Sequence, residues 1–162
     1  MQRSSTAPLP HPEAPGPGSV LPSHFHHCYG CGPAHPTGLR SRVVVGEGVS
    51  VHSTVELTRD HQGAPGLAHG GLLSAALDEA FGSAALLLGR PAVTANLSVD
   101  YLRPVPIGTT LHIRAYCTGT DGRKVHLSAE AMIDDAAAEP VLRATAVFIA
   151  VTFDHFARHR TT

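Results

Sequence analysis

Tryptophan is absent from this 162-residue sequence, and aromatic residues make up only 5% of it. A surface that stacks nucleobases needs more aromatic faces than that, which argues against a single-stranded nucleic-acid partner. Charge is scarce too: 15% of residues are Asp, Glu, Lys or Arg, against ~25% in an ordinary domain. The 12 basic and 13 acidic residues leave a formal net charge of −1. No cationic excess is available to neutralise phosphates, so no nucleic-acid partner is expected. There are only three cysteines, with Cys28 and Cys31 close together and Cys117 remote. An odd count with that spacing is no disulfide framework, and a reducing, cytoplasmic setting is expected. Long apolar runs are also missing. The longest, residues 72–88, is interrupted by Asp78 and Glu79 and is too short to span a bilayer. No basic stretch followed by an apolar one opens the sequence, so neither a secretory leader nor a membrane partner is expected.

Proline is present, but unevenly. Six of the 13 prolines (Pro8, Pro10, Pro12, Pro15, Pro17 and Pro22) fall in the first 23 residues. That density suits neither a helix nor a sheet ladder, so residues 1–23 read as a flexible tail leaning to polyproline II. Residues 24–154 then form one domain, able to bury roughly two-thirds of its unfolded surface, and residues 155–162 a short polar tail.

Within the domain, residues 24–39 are rich in His, Cys, Gly and Pro and read as an irregular loop. Residues 42–45 and 49–57 read as strands joined at Gly46-Glu47-Gly48, and residues 58–68 as a loop. Residues 69–88 form the one convincing helix, apolar nearly all round, which places it inside something. Gly89 and Pro91 end it. Ala75, Ala76, Ala84 and Ala85 let a sheet come close to its axis. Strands follow over residues 93–102, 110–118, 124–133 and 141–152, with Gly119-Thr120-Asp121-Gly122 as a hairpin turn. Two strands, one helix and four strands, without βαβ alternation, make an α+β fold. A curved antiparallel sheet wrapped around one central buried helix satisfies every assignment. Because one sheet cannot cover all of its own open face, two such sheets are expected to pair in a dimer.

Chemistry concentrates where the chain enters the helix. Gly70 and Gly71 sit at the helix start, where free N–H groups and the positive end of the macrodipole can hold a carbonyl oxygen gaining negative charge. Glycine there lets a ligand approach, although Gly-Gly can equally serve only to turn the chain. Asp78, nine residues past His69, stands among Leu, Ala and Phe. A buried carboxylate needs a partner or a task, so it is either a chemical group or a cap on a neighbouring strand. Ser74 shares its face. Glu79 points elsewhere and reads as an ion-pair or interface residue.

The run Pro65-Gly66-Leu67-Ala68-His69-Gly70-Gly71-Leu72-Leu73-Ser74-Ala75-Ala76-Leu77-Asp78-Glu79 resembles the hotdog-fold acyl-CoA thioesterases of the 4-hydroxybenzoyl-CoA thioesterase superfamily, in particular the phenylacetate-pathway and mitochondrial long-chain types. The strand from Val93 through Asn96 to Tyr101, with Arg103-Pro104-Val105-Pro106 after it, resembles the same group, and the likeness runs from about Cys28 to Thr152. It implies hydrolysis of an acyl-CoA thioester to free acid and CoA, without cofactor or metal. In that reading Gly70 or Gly71 donates to the thioester carbonyl, His69 orders the turn, and Asp78 activates water or attacks directly. Thr94 helps hold the water, and Gln62, Gly63, Asn96 and Arg103 become substrate contacts. Relatives often carry Asn or Gln shortly before His-Gly-Gly; here the nearest is Gln62, seven positions earlier, with Gly63 beside it. The resemblance further implies a homodimer, or a dimer of dimers, whose sites combine residues of two protomers. A non-catalytic acyl-CoA-binding or protein-interaction module on the same fold is the other reading.

His24, His26, His27, Cys28, Cys31 and His35 cluster within twelve residues. Cys-x-x-Cys with flanking His has the spacing of half a zinc site, but no second half follows, and the loop resembles a structural loop of bacterial hotdog relatives. No metal is therefore expected. His52, His112 and His126 fall in strands with solvent-facing or cross-strand roles, His155 and His159 in the tail, and His61 reads as an exposed loop residue.

Overall fold

A computed structural model describes residues 7–161. Strands β1 (Val20–Leu21), β2 (Arg42–Val45) and β3 (Ser50–Glu56) lead through a 3-10 turn at Arg59–His61 into helix α1 (Gly70–Leu86). Strands β4 (Ala92–Tyr101), β5 (Thr110–Asp121), β6 (Lys124–Ile133) and β7 (Leu142–Ala150) follow, and helix α2 (Asp154–His159) ends the chain. All seven strands lie in one sheet of order β1-β2-β3-β5-β6-β7-β4, every pair antiparallel. No helix among the described residues is long and apolar enough to cross a membrane.

The α+β architecture is as expected: a single sheet curls about α1. Leu73, Ala76, Leu77, Ala80, Phe81 and Ala84 are essentially sealed against it. Ala76, Ala80 and Ala84 recur every four residues, so one stripe of small side chains lets the strands approach the axis. Phe81 fills the remaining space, edge-on to Phe148 of β7 at 6.3 Å between ring centroids.

Enclosure is incomplete. Gly71 and Leu86 are exposed and Ser74, Asp78 and Gly82 only half-buried, so one flank of α1 stays open in the single chain. Edge strand β4, beside that flank, is largely exposed as well. The helix also ends before residue 88. Its last turn tightens through the bonds Leu88 N–H to Ala85 O and Gly89 N–H to Leu86 O, and Gly89 then takes the left-handed conformation (φ +81°).

Three further expectations need correction. The leading segment does not hang free from residue 7 onward, while residues 1–6 lie outside the described residues. His11 N–H donates to Leu87 O at 2.8 Å, capping the end of α1, and Gly18 and Ser19 exchange bonds with Val45. The segment's prolines keep the run out of a long ladder, but Val20–Leu21 between them pairs with β2, and its few free N–H groups find carbonyls that would otherwise be orphaned. The β5–β6 hairpin turns later than expected, at Gly122-Arg123, because Gly122 (φ +57°) supplies the left-handed residue and a bulge at Cys117/Gly119 absorbs one position. Residues 155–159, expected as tail, belong to a short exposed helix that starts at Asp154.

Candidate active site

His69 is the N-cap of α1, in extended backbone, and its Nδ1 accepts the Gly71 N–H at 2.9 Å. The side chain thus does what Ser or Asp does at other helix starts. Because Gly71 is engaged, Gly70 is the member of the pair whose N–H projects without an intrahelical acceptor. Behind His69 lies Gly63. A β-carbon there would come within 2.9 Å of His69 Cα, so only glycine lets the two backbones approach this closely. Gly63 therefore backs the histidine and has no side chain to offer a ligand. Gln62 turns onto its own loop, its Oε1 accepting the Gly66 N–H at 2.8 Å.

Two turns into the helix, Asp78 Oδ1 accepts a hydrogen bond from Thr94 Oγ1 at 2.6 Å. The carboxylate is half-buried on the open flank of α1, not sealed in the core, and Thr94 is its partner. The pairing depends on a β-bulge. Thr94 is opposite Phe148 and Asn96 opposite Val147, so Ala95 is the extra residue. Side chains alternate along a strand, and an inserted residue switches that alternation. Before the bulge Thr94 faces α1; beyond it Leu97, Val99 and Tyr101 do, opposite the buried Ala146, Ala144 and Leu142. Asn96 falls on the other face, away from Asp78.

Tyr101 is the residue that sequence reasoning missed. Its hydroxyl donates to Gly70 O at 2.8 Å and lies 2.6 Å from Ser74 Oγ, pinning the first turn of α1 to β4. Ser74 thus answers to Tyr101 and not to Asp78. The signal was the register beyond the bulge, which aims Tyr101 at the helix. Arg103 lies apart: its guanidinium donates to Pro140 O at 3.1 Å. His61, expected to be exposed, is only 2% exposed. Its Nδ1 accepts the Thr58 N–H, its carbonyl accepts the His69 N–H at 2.8 Å, and its Nε2 has no partner among the described residues.

The Cys-x-x-Cys loop docks on the same helix one residue further on. Glu79 Oε2 accepts from Cys28 Sγ at 3.7 Å, and Cys31 Sγ lies 3.0 Å from His24 Nδ1. With only protein groups around it, burial pushes the Cys31 thiol up to about 12, the Glu79 carboxyl adding to the effect. It is no thiolate nucleophile at neutral pH.

Comparison with known proteins shows what this geometry resembles. Residues 65–138 match the thioesterase superfamily. The acyl-coenzyme A thioesterase THEM4 of Xenopus laevis is 37% identical over 90 residues, 54% of this chain and 39% of its own length, so the chain spans about two-fifths of that relative. Among solved structures, the thioesterase superfamily protein RHA08564 superposes with a TM-score of 0.70 at 29% identity, covering 76% of this chain and 60% of that one. A mutant of the phenylacetic acid degradation protein PaaI from Thermus thermophilus gives 0.63 at 27%, covering 70% and 95%. The motif His69-Gly70-Gly71, with Asp78 and Thr94, falls inside the matched segment, and a sheet curled around one helix is the architecture the superposed structures share. The fold is thus that of the hotdog thioesterases, and residues 65–138, somewhat under half of the chain, resemble the thioesterase superfamily.

Proposed function

We propose that the protein hydrolyses acyl-coenzyme A thioesters, releasing a carboxylic acid and CoA. The observation that carries the reading is the 2.6 Å hydrogen bond from Thr94 to Asp78 on the open flank of α1. With Oδ1 held by the hydroxyl, Oδ2 is left to take a proton from a water that the Thr94 oxygen also helps to place. That water attacks the thioester carbonyl carbon. Negative charge gathers on the oxygen, where the Gly70 N–H and the positive helix end stabilise it. Collapse of the tetrahedral species breaks the C–S bond, and the CoA thiolate takes up the proton. The acyl-CoA class comes from the names of relatives such as THEM4, which share only part of their length with this chain.

The same geometry argues for two copies. Gly70 and Asp78 are eight residues apart on one helix, roughly 12 Å along its axis. The donor must reach the carbonyl oxygen and the Asp78-bound water the carbonyl carbon, a chain of contacts that spans less than that distance. A site formed by Asp78 of one copy and Gly70 of a second resolves the mismatch, and the exposed edge strand β4 beside the open flank of α1 is the surface over which two copies would meet.

A thiol-release assay with a panel of acyl-CoAs of increasing chain length tests the activity. Asp78→Asn should lose about two to four orders of magnitude in kcat, the range of a positioned general base, with folding intact by circular dichroism. Retained turnover in that variant would overturn the assignment. Saturable binding without turnover by the wild type would favour a binding module instead.

A further inference from the structure

A feature outside this chemistry is the side-chain cluster where the leading loop meets α1. His24, Cys28, Cys31 and Glu79 present one nitrogen, two sulfurs and one oxygen, all within 4.8 Å of one another. Individual separations are 3.0 Å for His24 Nδ1 to Cys31 Sγ, 3.7 Å for Cys28 Sγ to Glu79 Oε2 and 3.9 Å for His24 Nδ1 to Glu79 Oε1. Ligands held tetrahedrally at zinc bond lengths lie roughly 3.3–3.8 Å from each other. The four donors thus stand close to the spacing that a single ion would impose.

The backbone is shaped for the same end. Gly32 N–H donates to Cys28 O at 2.8 Å, a tight turn that brings both thiols to one side. A β-carbon at Gly32 would sit 2.5 Å from backbone atoms of Cys28, and one at Gly30 would overlap the Glu79 carboxylate. Both glycines are required for the loop to close over Glu79, whose side chain is only 14% exposed. The half-site seen in the sequence therefore finds its missing ligand on the helix, and not in a second Cys-x-x-Cys.

We infer that His24, Cys28, Cys31 and Glu79 form a binding site for one zinc ion. Two thiolates and an imidazole select zinc over magnesium or calcium. Four protein donors complete the tetrahedron and leave no position for water, so the site is structural. Binding releases the two thiol protons and fixes the loop to α1 at the residue after Asp78.

The test uses the untagged 162-residue chain, purified from zinc-supplemented medium with both thiols reduced. Elemental analysis should find one zinc per chain, and replacement by Co²⁺ should give thiolate-to-cobalt charge-transfer absorption with the d–d bands of a tetrahedral centre. Cys28→Ser and Cys31→Ser should abolish that absorption. His24→Ala, a change at an exposed loop position that spares the core, should weaken zinc in competition with a chelator by more than the roughly 10–100-fold typical of an outer-sphere partner. Substoichiometric zinc without cobalt charge transfer in wild-type protein would overturn the site, as would zinc content unchanged in both cysteine variants.

Discussion

Gly70 carries more of the proposed chemistry than any side chain near it, because what it contributes is a backbone N–H. Its neighbour Gly71 donates to His69 Nδ1, so the two glycines are not interchangeable. Position 70 is the first residue of α1 and follows an extended His69 (φ −70°, ψ 130°). Proline is tolerated at that place, since its missing N–H is one the helix does not use and its preceding residue is already extended. Gly70→Pro should therefore fold with near wild-type stability and lose about two to three orders of magnitude in kcat, as when one oxyanion donor is removed. Thermal unfolding and thiol release on the same preparation check both halves; full activity would show that the Gly70 amide is not the donor.

Among the elements, β3 and β5 carry a pair of imidazoles on their half-exposed side. His52 Nε2 and His112 Nδ1 are 3.2 Å apart. Burial, then His112 and Arg114, hold the His52 imidazole below its ordinary value of 6.5. The unfolded chain thus takes up a proton at a higher pH than the folded one. The stability this confers is fully present above pH ~6.5 and declines as pH falls from there toward the folded value. His52→Gln should flatten that decline, measured as the difference between wild-type and variant melting temperatures from pH 8 to pH 5; parallel curves would refute it. Strand β4 shows how far one residue can redirect an element. Its apolar alternation at Val93, Ala95, Leu97, Val99 and Tyr101 is plain in the sequence, and read literally it turns Thr94 away from the helix. The bulge at Ala95 reverses that upstream of Asn96, and the Asp78 pairing follows from it.

For the whole molecule, the scarcity of charge and the open flank of α1 are what the proposed second copy would account for. The crossed-site arrangement gives a strict test. Co-expressed Asp78→Asn and Gly70→Pro chains, each inactive alone, should regain roughly a quarter of wild-type activity. Half of the resulting dimers are mixed, and each mixed dimer holds one intact site. No recovery in a mixture that sedimentation shows to be dimeric would refute the shared site.

Much was legible from the chain alone. The single apolar helix, the turn signals and the absence of βαβ alternation determined an α+β sheet around one helix, because periodicity and turn chemistry are local properties. The His69-Gly70-Gly71 start and the isolated Asp78 were visible for the same reason, being spaced along one element. What tertiary structure decided were the pairings between elements. Thr94 reaches Asp78 through a bulge, Tyr101 anchors the first turn, Gly63 makes room for His69, and Glu79 closes the Cys-x-x-Cys cluster from 51 residues beyond Cys28. Each depends on register or on close backbone approach, set by packing of the whole sheet against α1 and carried by no local run of sequence.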